Sequence, residues 1–237
     1  CDLLIKHGVK VASFALAPKQ ELIAKLKDHG LVVMPSVGLA RHAEKVAAWG
    51  ADAVMIQGGE GGGHTGSVPT TLLLPTVLDA VDIPVVAAGG FFDGRGLAAA
   101  LSYGAAGVGM GTRFLLTANS AVPQAVKDLY LTHDLNGTVV TAKVDGMPHR
   151  MLRTELVSEL EETSAVKRLG PTMKRTLEFK RTSGMSWVEL AKDGRAMKKT
   201  QSRTLAQMTL AANTPVMLKA GLVDGDTGAG VLASGQV

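Results

Sequence analysis

The chain has a single cysteine, Cys1, so no disulfide can form within it and no cysteine pair is present to grip a metal. A fold without disulfides suits a reducing compartment, and the expected location is cytoplasmic. Aromatic residues make up only 4% of the sequence, which leaves no platform for stacking nucleic-acid bases. No apolar run approaches the roughly 20 residues that a membrane-spanning helix needs. The start, Cys1-Asp2-Leu3-Leu4-Ile5-Lys6-His7, lacks the basic, apolar and small-residue order of a secretory signal. These shortages speak against a disulfide scaffold, a membrane protein and a nucleic-acid binder. A small-molecule substrate and a homo-oligomeric partner remain as the expected company.

The chain does have core-forming material. It is 237 residues long, 46% hydrophobic and 19% charged, enough to bury a sizeable core in one or two domains. Its net charge of +4 comes largely from the second half, at Lys167-Arg168, Lys174-Arg175, Lys180-Arg181 and Lys198-Lys199. Acidic neighbours such as Glu159, Glu161 and Glu162 make solvated helix faces the first reading of these pairs. A grip on a phosphorylated substrate tail is the second.

Through about residue 116 one theme recurs: a short β-branched apolar run, a loop, then a helix-like pattern. Strands are expected at Val9 to Leu16, Leu31 to Met34, Ala53 to Ile56, Ile83 to Ala88 and Ala106 to Met110. Helices are expected at Pro18 to His29, Leu39 to Trp49, Leu72 to Val81 and Arg95 to Tyr103. The strands are continuous apolar runs, as parallel strands covered on both faces require. This rhythm means either a doubly wound sheet or a (β/α) barrel. Five units fall short of eight, so a (β/α)8 TIM barrel would lack its first strands, with about three βα units expected before Cys1. From Ala118 the pattern turns helical, with one isolated strand at Thr138 to Lys143. The expected division is 1–117 as barrel, 118–222 as a C-terminal helical lobe and 223–237 as a segment returning to the barrel.

The chemistry-bearing positions follow the strands. Gln57-Gly58-Gly59-Glu60-Gly61-Gly62-Gly63-His64-Thr65-Gly66 surrounds one imidazole with glycines, which lets backbone approach a planar ligand beside a single titratable group. A mobile glycine loop with an incidental histidine is the plainer alternative. Ala87-Ala88-Gly89-Gly90 and Gly109-Met110-Gly111-Thr112 end the next two strands and expose backbone N–H groups. If three units precede Cys1, these are the seventh and eighth strands, whose loops commonly build a barrel's phosphate site. Tight βα turns that need small residues are the competing explanation. His7, His29 and His42 are expected on the surface, His149 is a candidate second polar group, and Glu60 is expected as a solvated loop carboxylate. No metal site is expected.

Gln57-x-Gly59-Glu60-x-Gly62-Gly63-His64-x-Gly66, Ala87-Ala88-Gly89-Gly90 and Met110-Gly111-Thr112-Arg113-Phe114 together resemble the FMN-dependent nitronate monooxygenase (2-nitropropane dioxygenase) family, whose enoyl-reductase relatives share these motifs. The resemblance spans nearly the whole chain. The stretch Gly230 to Gln236 also resembles a segment just before the family's C-terminus, so both ends are expected to be absent.

The resemblance implies that FMN is the cofactor and His64 the catalytic base. It implies that Gln57 and Gly62 contact the flavin, and that Gly90, Gly109, Met110, Gly111 and Thr112 hold its phosphate. The chain departs from the family pattern at Gly61, where alanine is usual, at Gly109, often glutamine, and at Met147, where arginine is common. Phe14-Ala15-Leu16-Ala17-Pro18-Lys19 and Gly89-Gly90-Phe91-Phe92-Asp93-Gly94-Arg95-Gly96 are similar to an actinobacterial branch acting on CoA thioesters in steroid-ring breakdown. The expected reaction is therefore dehydrogenation, or the reverse reduction, of an acyl-CoA. Nitronate oxidation with oxygen is the alternative, and a flavin-free phosphate-binding barrel a further one.

Overall fold

The computed structural model describes residues 1–15, 17–163 and 213–236. The chain divides into two compact units. The first comprises Cys1–Gly61, Thr65–Arg113 and the residues from Gly235 onward. The second comprises Gly62–His64 and Phe114–Ser234. The 223–237 segment is therefore divided between the two, at Ser234.

In chain order the elements are α1 (Asp2–Lys6), β1 (Val11–Phe14), α2 (Gln20–Asp28), β2 (Val32–Val37), α3 (Ala40–Ala48), β3 (Val54–Gln57), β4 (Gly63–His64), α4 (Thr70–Leu78), β5 (Val85–Ala88), α5 (Gly94–Tyr103) and β6 (Gly107–Gly109). They continue with α6 (Thr112–Leu115), α7 (Gln124–Leu131), β7 (Thr138–Thr141), β8 (His149–Leu152), α8 (Glu155–Glu162) and α9 (Asn213–Leu222).

The first unit is built on a parallel sheet in the order β1-β2-β3-β5-β6. Apart from β4, which leaves for the other unit, strands follow one another in space as in sequence. A doubly wound sheet reverses its order at a switch point; this one never does, which is the order of a barrel wall. Between the strands, helices present an apolar stripe one turn apart: Ile23 and Leu26 on α2, Ala43 and Val46 on α3. These four residues are completely buried with Val33, Val54 and Ile56 from the strands. Leu26→Ala is expected to cost about 2–5 kcal/mol, read as a lower urea midpoint with an unchanged slope.

The register matters most for function. Gln57 pairs with Ala88, and Ala88 with Gly109, so three strands end in one row. The three glycine-bearing loops therefore leave the sheet side by side at the C-terminal ends of the strands, where parallel α/β sheets place ligands.

The second unit corrects an expectation. Thr138 to Lys143 is not an isolated strand in a helical lobe. It gives β7, which pairs antiparallel with β8, and β8 pairs in turn with β4. Strand β8 escapes sequence reading because it is four residues long and buries His149, Met151 and Leu152 without strict alternation. Two small cores support this unit, one around Met151, Val157 and Met217, the other around Val126, Tyr130, Leu152 and Leu232. Of the helical pattern expected from Ala118 onward, the part at 164–212, with the four basic pairs, lies outside the described residues.

Candidate active site

In the first unit, Gly58 and Gly89 extend the ends of β3 and β5, and the Gly58 amide donates to the Ala88 carbonyl at 3.0 Å. Neither position has room for a side chain. A Cβ on Gly58 would collide with the Thr70 hydroxyl and come within 2.7 Å of the Thr70 Cα. A Cβ on Gly89 would lie 3.1 Å from the Gly58 nitrogen, and its φ of +105° is itself a glycine conformation. The loop is pinned by Glu60, whose carboxylate accepts from the Thr70 amide at 3.0 Å and the Thr70 hydroxyl at 2.7 Å. That hydroxyl also lies 3.0 Å from the Gly89 carbonyl. Glu60 is thus not merely a solvated carboxylate: it caps the first turn of α4 from ten residues upstream.

Past β5 and β6 the backbone opens. Gly90 has φ +77°, and a Cβ there would press on Glu60 at 3.4 Å. Around Gly111 nothing lies within 4 Å of a Cβ position. Thr112 is buried, and its hydroxyl accepts from the Gly235 amide at 2.9 Å, leaving the hydroxyl hydrogen to be donated elsewhere. The N-terminus of α5 is not such a donor, because Asp93 already accepts from the Arg95 and Gly96 amides at 3.0 and 3.2 Å. The positive end of that helix is thus taken up by its own cap.

Two departures from the family pattern have local explanations. A Cβ on Gly61 would meet the Gln57 side chain at 2.7 Å, so glycine lets Gln57 fold back over the loop. At Gly109 a Cβ would meet Ala88 Cβ and Met55 Cε, both at 3.3 Å; Met55 occupies the room a larger residue would take.

In the second unit, His64 stands on β4 directly opposite His149 on β8. The rings stack with centroids 4.0 Å apart and planes inclined by 23°. His64 is 39% exposed, whereas His149 is 2% exposed. Between β7 and β8 the chain turns through Gly146, at φ +84°, and the Met147 amide donates to Asp145 Oδ1 at 2.9 Å. This Asx turn aims Oδ2 at His64, whose Nε2 lies 2.6 Å away. The Thr214 hydroxyl on α9 donates to the same oxygen at 2.9 Å.

Burial alone would raise the Asp145 carboxyl. The hydrogen bonds from His64 and the Met147 amide, the His64 charge and the Thr214 hydroxyl outweigh it and hold the group at about 2. His149 is displaced the other way: burial first, then the neighbouring His64, push it down to about 4 against a partial pull from Asp145. His149 Nδ1 has no hydrogen-bond partner among the described residues.

Between pH about 6.5 and about 4 the unfolded chain takes up a proton that folded His149 refuses, so stability is full above that window and falls with pH by up to about 3 kcal/mol. Asp145 extends the loss from about 3.8 down to about 2. Urea midpoints measured from about pH 7 to about pH 4 should decline, and His149→Phe should flatten that decline.

The profile of the nitronate monooxygenase family matches residues 1–237. The chain belongs to that family. Along its whole length it is 67% identical to a Rhodococcus jostii protein named (3aS,4S,5R,7aS)-5-hydroxy-7a-methyl-1-oxo-octahydro-1H-indene-4-carboxyl-CoA dehydrogenase, and it spans 67% of that relative. Among solved structures it is similar to FabK from Thermotoga maritima, with 31% identity and a TM-score of 0.73 over 99% of this chain and 63% of that one. A nitroalkane oxidase from Streptomyces ansochromogenes is 30% identical with a TM-score of 0.71, over 99% of this chain and 60% of that one. The chain thus spans less than two thirds of either solved relative.

Within this flavin-dependent family the first unit has what a phosphorylated planar cofactor needs: open space at Gly111, amide donors after two adjacent strands, and a buried hydroxyl at Thr112. Gln57, Gly90, Gly109, Met110, Gly111 and Thr112 all lie in this unit. Gly62 and His64 lie in the second, which the chain enters directly from Gly61. His7, His29 and His42 are exposed. Asp145 carried no signal beyond an Asp-Gly turn four residues ahead of His149, because its partner lies 81 residues away.

His64, Asp145 and His149 bring ligand atoms within 4.8 Å of one another, a spacing open to a metal ion. The ring geometry opposes one. Imidazole lone pairs lie in the ring plane, and two stacked rings point theirs side by side rather than at a common point about 2.1 Å from both.

Proposed function

We propose that the protein is an FMN-dependent dehydrogenase of a CoA thioester, with His64 as the base. The observation that carries the substrate class is the 67% identity, along all of this chain, to a dehydrogenase named for a bicyclic carboxyl-CoA. A thioester acidifies the carbon beside its carbonyl, so a neutral imidazole can remove that proton. Gly90, Gly109, Met110 and Gly111 would hold the FMN phosphate through backbone amides, Thr112 adding its hydroxyl. Gln57 and Gly62 would lie against the flavin. When bound, the flavin supplies the acceptor for a hydride from the β-carbon. His64 takes the α-proton, and an α,β-unsaturated thioester remains; run backwards, the same parts make an enoyl reductase.

Nitronate oxidation is the second reading, favoured by the 30% identity to a nitroalkane oxidase over 99% of this chain. The two separate in one experiment. The full-length, FMN-loaded protein is mixed without oxygen with a polycyclic acyl-CoA or with propyl nitronate, and loss of the flavin's visible absorbance is followed. Bleaching by the thioester alone is expected. Bleaching by the nitronate alone would overturn the assignment.

A further inference from the structure

We propose that Asp145 is a positioning residue for His64: it fixes the ring in the tautomer that carries its hydrogen on Nε2, so that Nδ1 is the atom that accepts the substrate proton. This rests on His64 being the base. The geometry supplies the rest. Asp145 is 2% exposed and its two oxygens face three groups: the Met147 amide, the Thr214 hydroxyl and His64 Nε2 at 2.6 Å. An ionised carboxylate can only accept, so a neutral His64 must donate from Nε2, and its lone pair is then on Nδ1. The stacked His149 ring, buried on the neighbouring strand, fixes the plane in which that lone pair points. Loss of the proton from substrate to Nδ1 makes an imidazolium whose opposite edge faces a buried anion, which stabilises the charge as it forms.

The substitution Asp145→Asn discriminates positioning from simple structural support. The Met147 amide can only donate, so it keeps the asparagine carbonyl at the Oδ1 position. The NH2 group then faces Thr214 and His64. To accept from it, His64 must move its hydrogen from Nε2 to Nδ1, the wrong tautomer for the reaction. The readout is the nitrogen spectrum of 15N-histidine-labelled, full-length, flavin-loaded protein at a pH where the ring is neutral, with the His64 signals assigned through His64→Ala.

The wild-type protein is expected to show a protonated Nε2 and an unprotonated Nδ1, and Asp145→Asn the reverse. Turnover of that variant should fall about 10²-fold while KM changes by no more than about twofold. A wild-type His64 carrying its hydrogen on Nδ1 overturns the proposal, and this reading does not depend on Asp145→Asn folding. An unchanged tautomer with unchanged turnover in Asp145→Asn overturns it as well. If both spectra come out as expected and His64→Ala still turns over at the wild-type rate, the base assignment fails while the positioning of the ring by Asp145 stands.

Discussion

His64→Ala is expected to slow turnover by about 10²–10⁴-fold with the flavin still bound. The size follows from what is removed. Without the imidazole, the proton beside the thioester carbonyl must pass to water, whose basicity is poorly matched to the task. Flavin retention follows from where the proposed phosphate-binding residues lie: Gly90, Gly109, Met110, Gly111 and Thr112 are all in the other compact unit. Because His64 belongs to neither apolar core of its unit, its truncation costs the stacking on His149 and the hydrogen bond to Asp145 but no hydrophobic core contact. Anaerobic bleaching rates and the flavin-to-protein ratio check both halves. A variant that keeps its flavin and bleaches at the wild-type rate removes His64 from the mechanism.

Gly58→Ala is expected to destabilise the protein by about 3 kcal/mol and to strip it of flavin. The added methyl would meet the Thr70 Cα, which is backbone and cannot turn aside as a side-chain tip can. Relief requires β3 and α4 to separate, which breaks the Glu60 hold on the Thr70 amide and hydroxyl and frees the Gly89 carbonyl. The loops after β3 and β5 would then lose their common anchor. Gly111→Ala is the matched control, since nothing lies within 4 Å of its Cβ position. It should unfold at the wild-type denaturant concentration. If Gly58→Ala does the same, the close packing of these strand ends does not support the fold as argued.

Much of the first unit was legible in the linear chain. Each expected strand and helix through Tyr103 recurs within a few residues, because β-branched runs and helical apolar spacing are local signals that a parallel α/β sheet then reinforces. The sheet order β1-β2-β3-β5-β6 chose between the two architectures that the βα rhythm left open. The motifs marking the family were also legible, since glycine at a strand end is visible wherever backbone must come close. Strand β4 was hidden inside its glycines, and β8 inside a run without alternation.

The sequence by itself determined the alternation of strand and helix, the family, and the single imidazole among glycines at position 64. Only the tertiary structure decided that this imidazole has partners. Asp145 reaches it across 81 residues, His149 stacks on it from a neighbouring strand, and Thr214 completes the carboxylate's shell from a helix later still. No period or spacing encodes such contacts. A hydrogen bond acts over about 3 Å of space whatever the length of chain between its ends, and antiparallel pairing of β4 with β8 is what closes that distance.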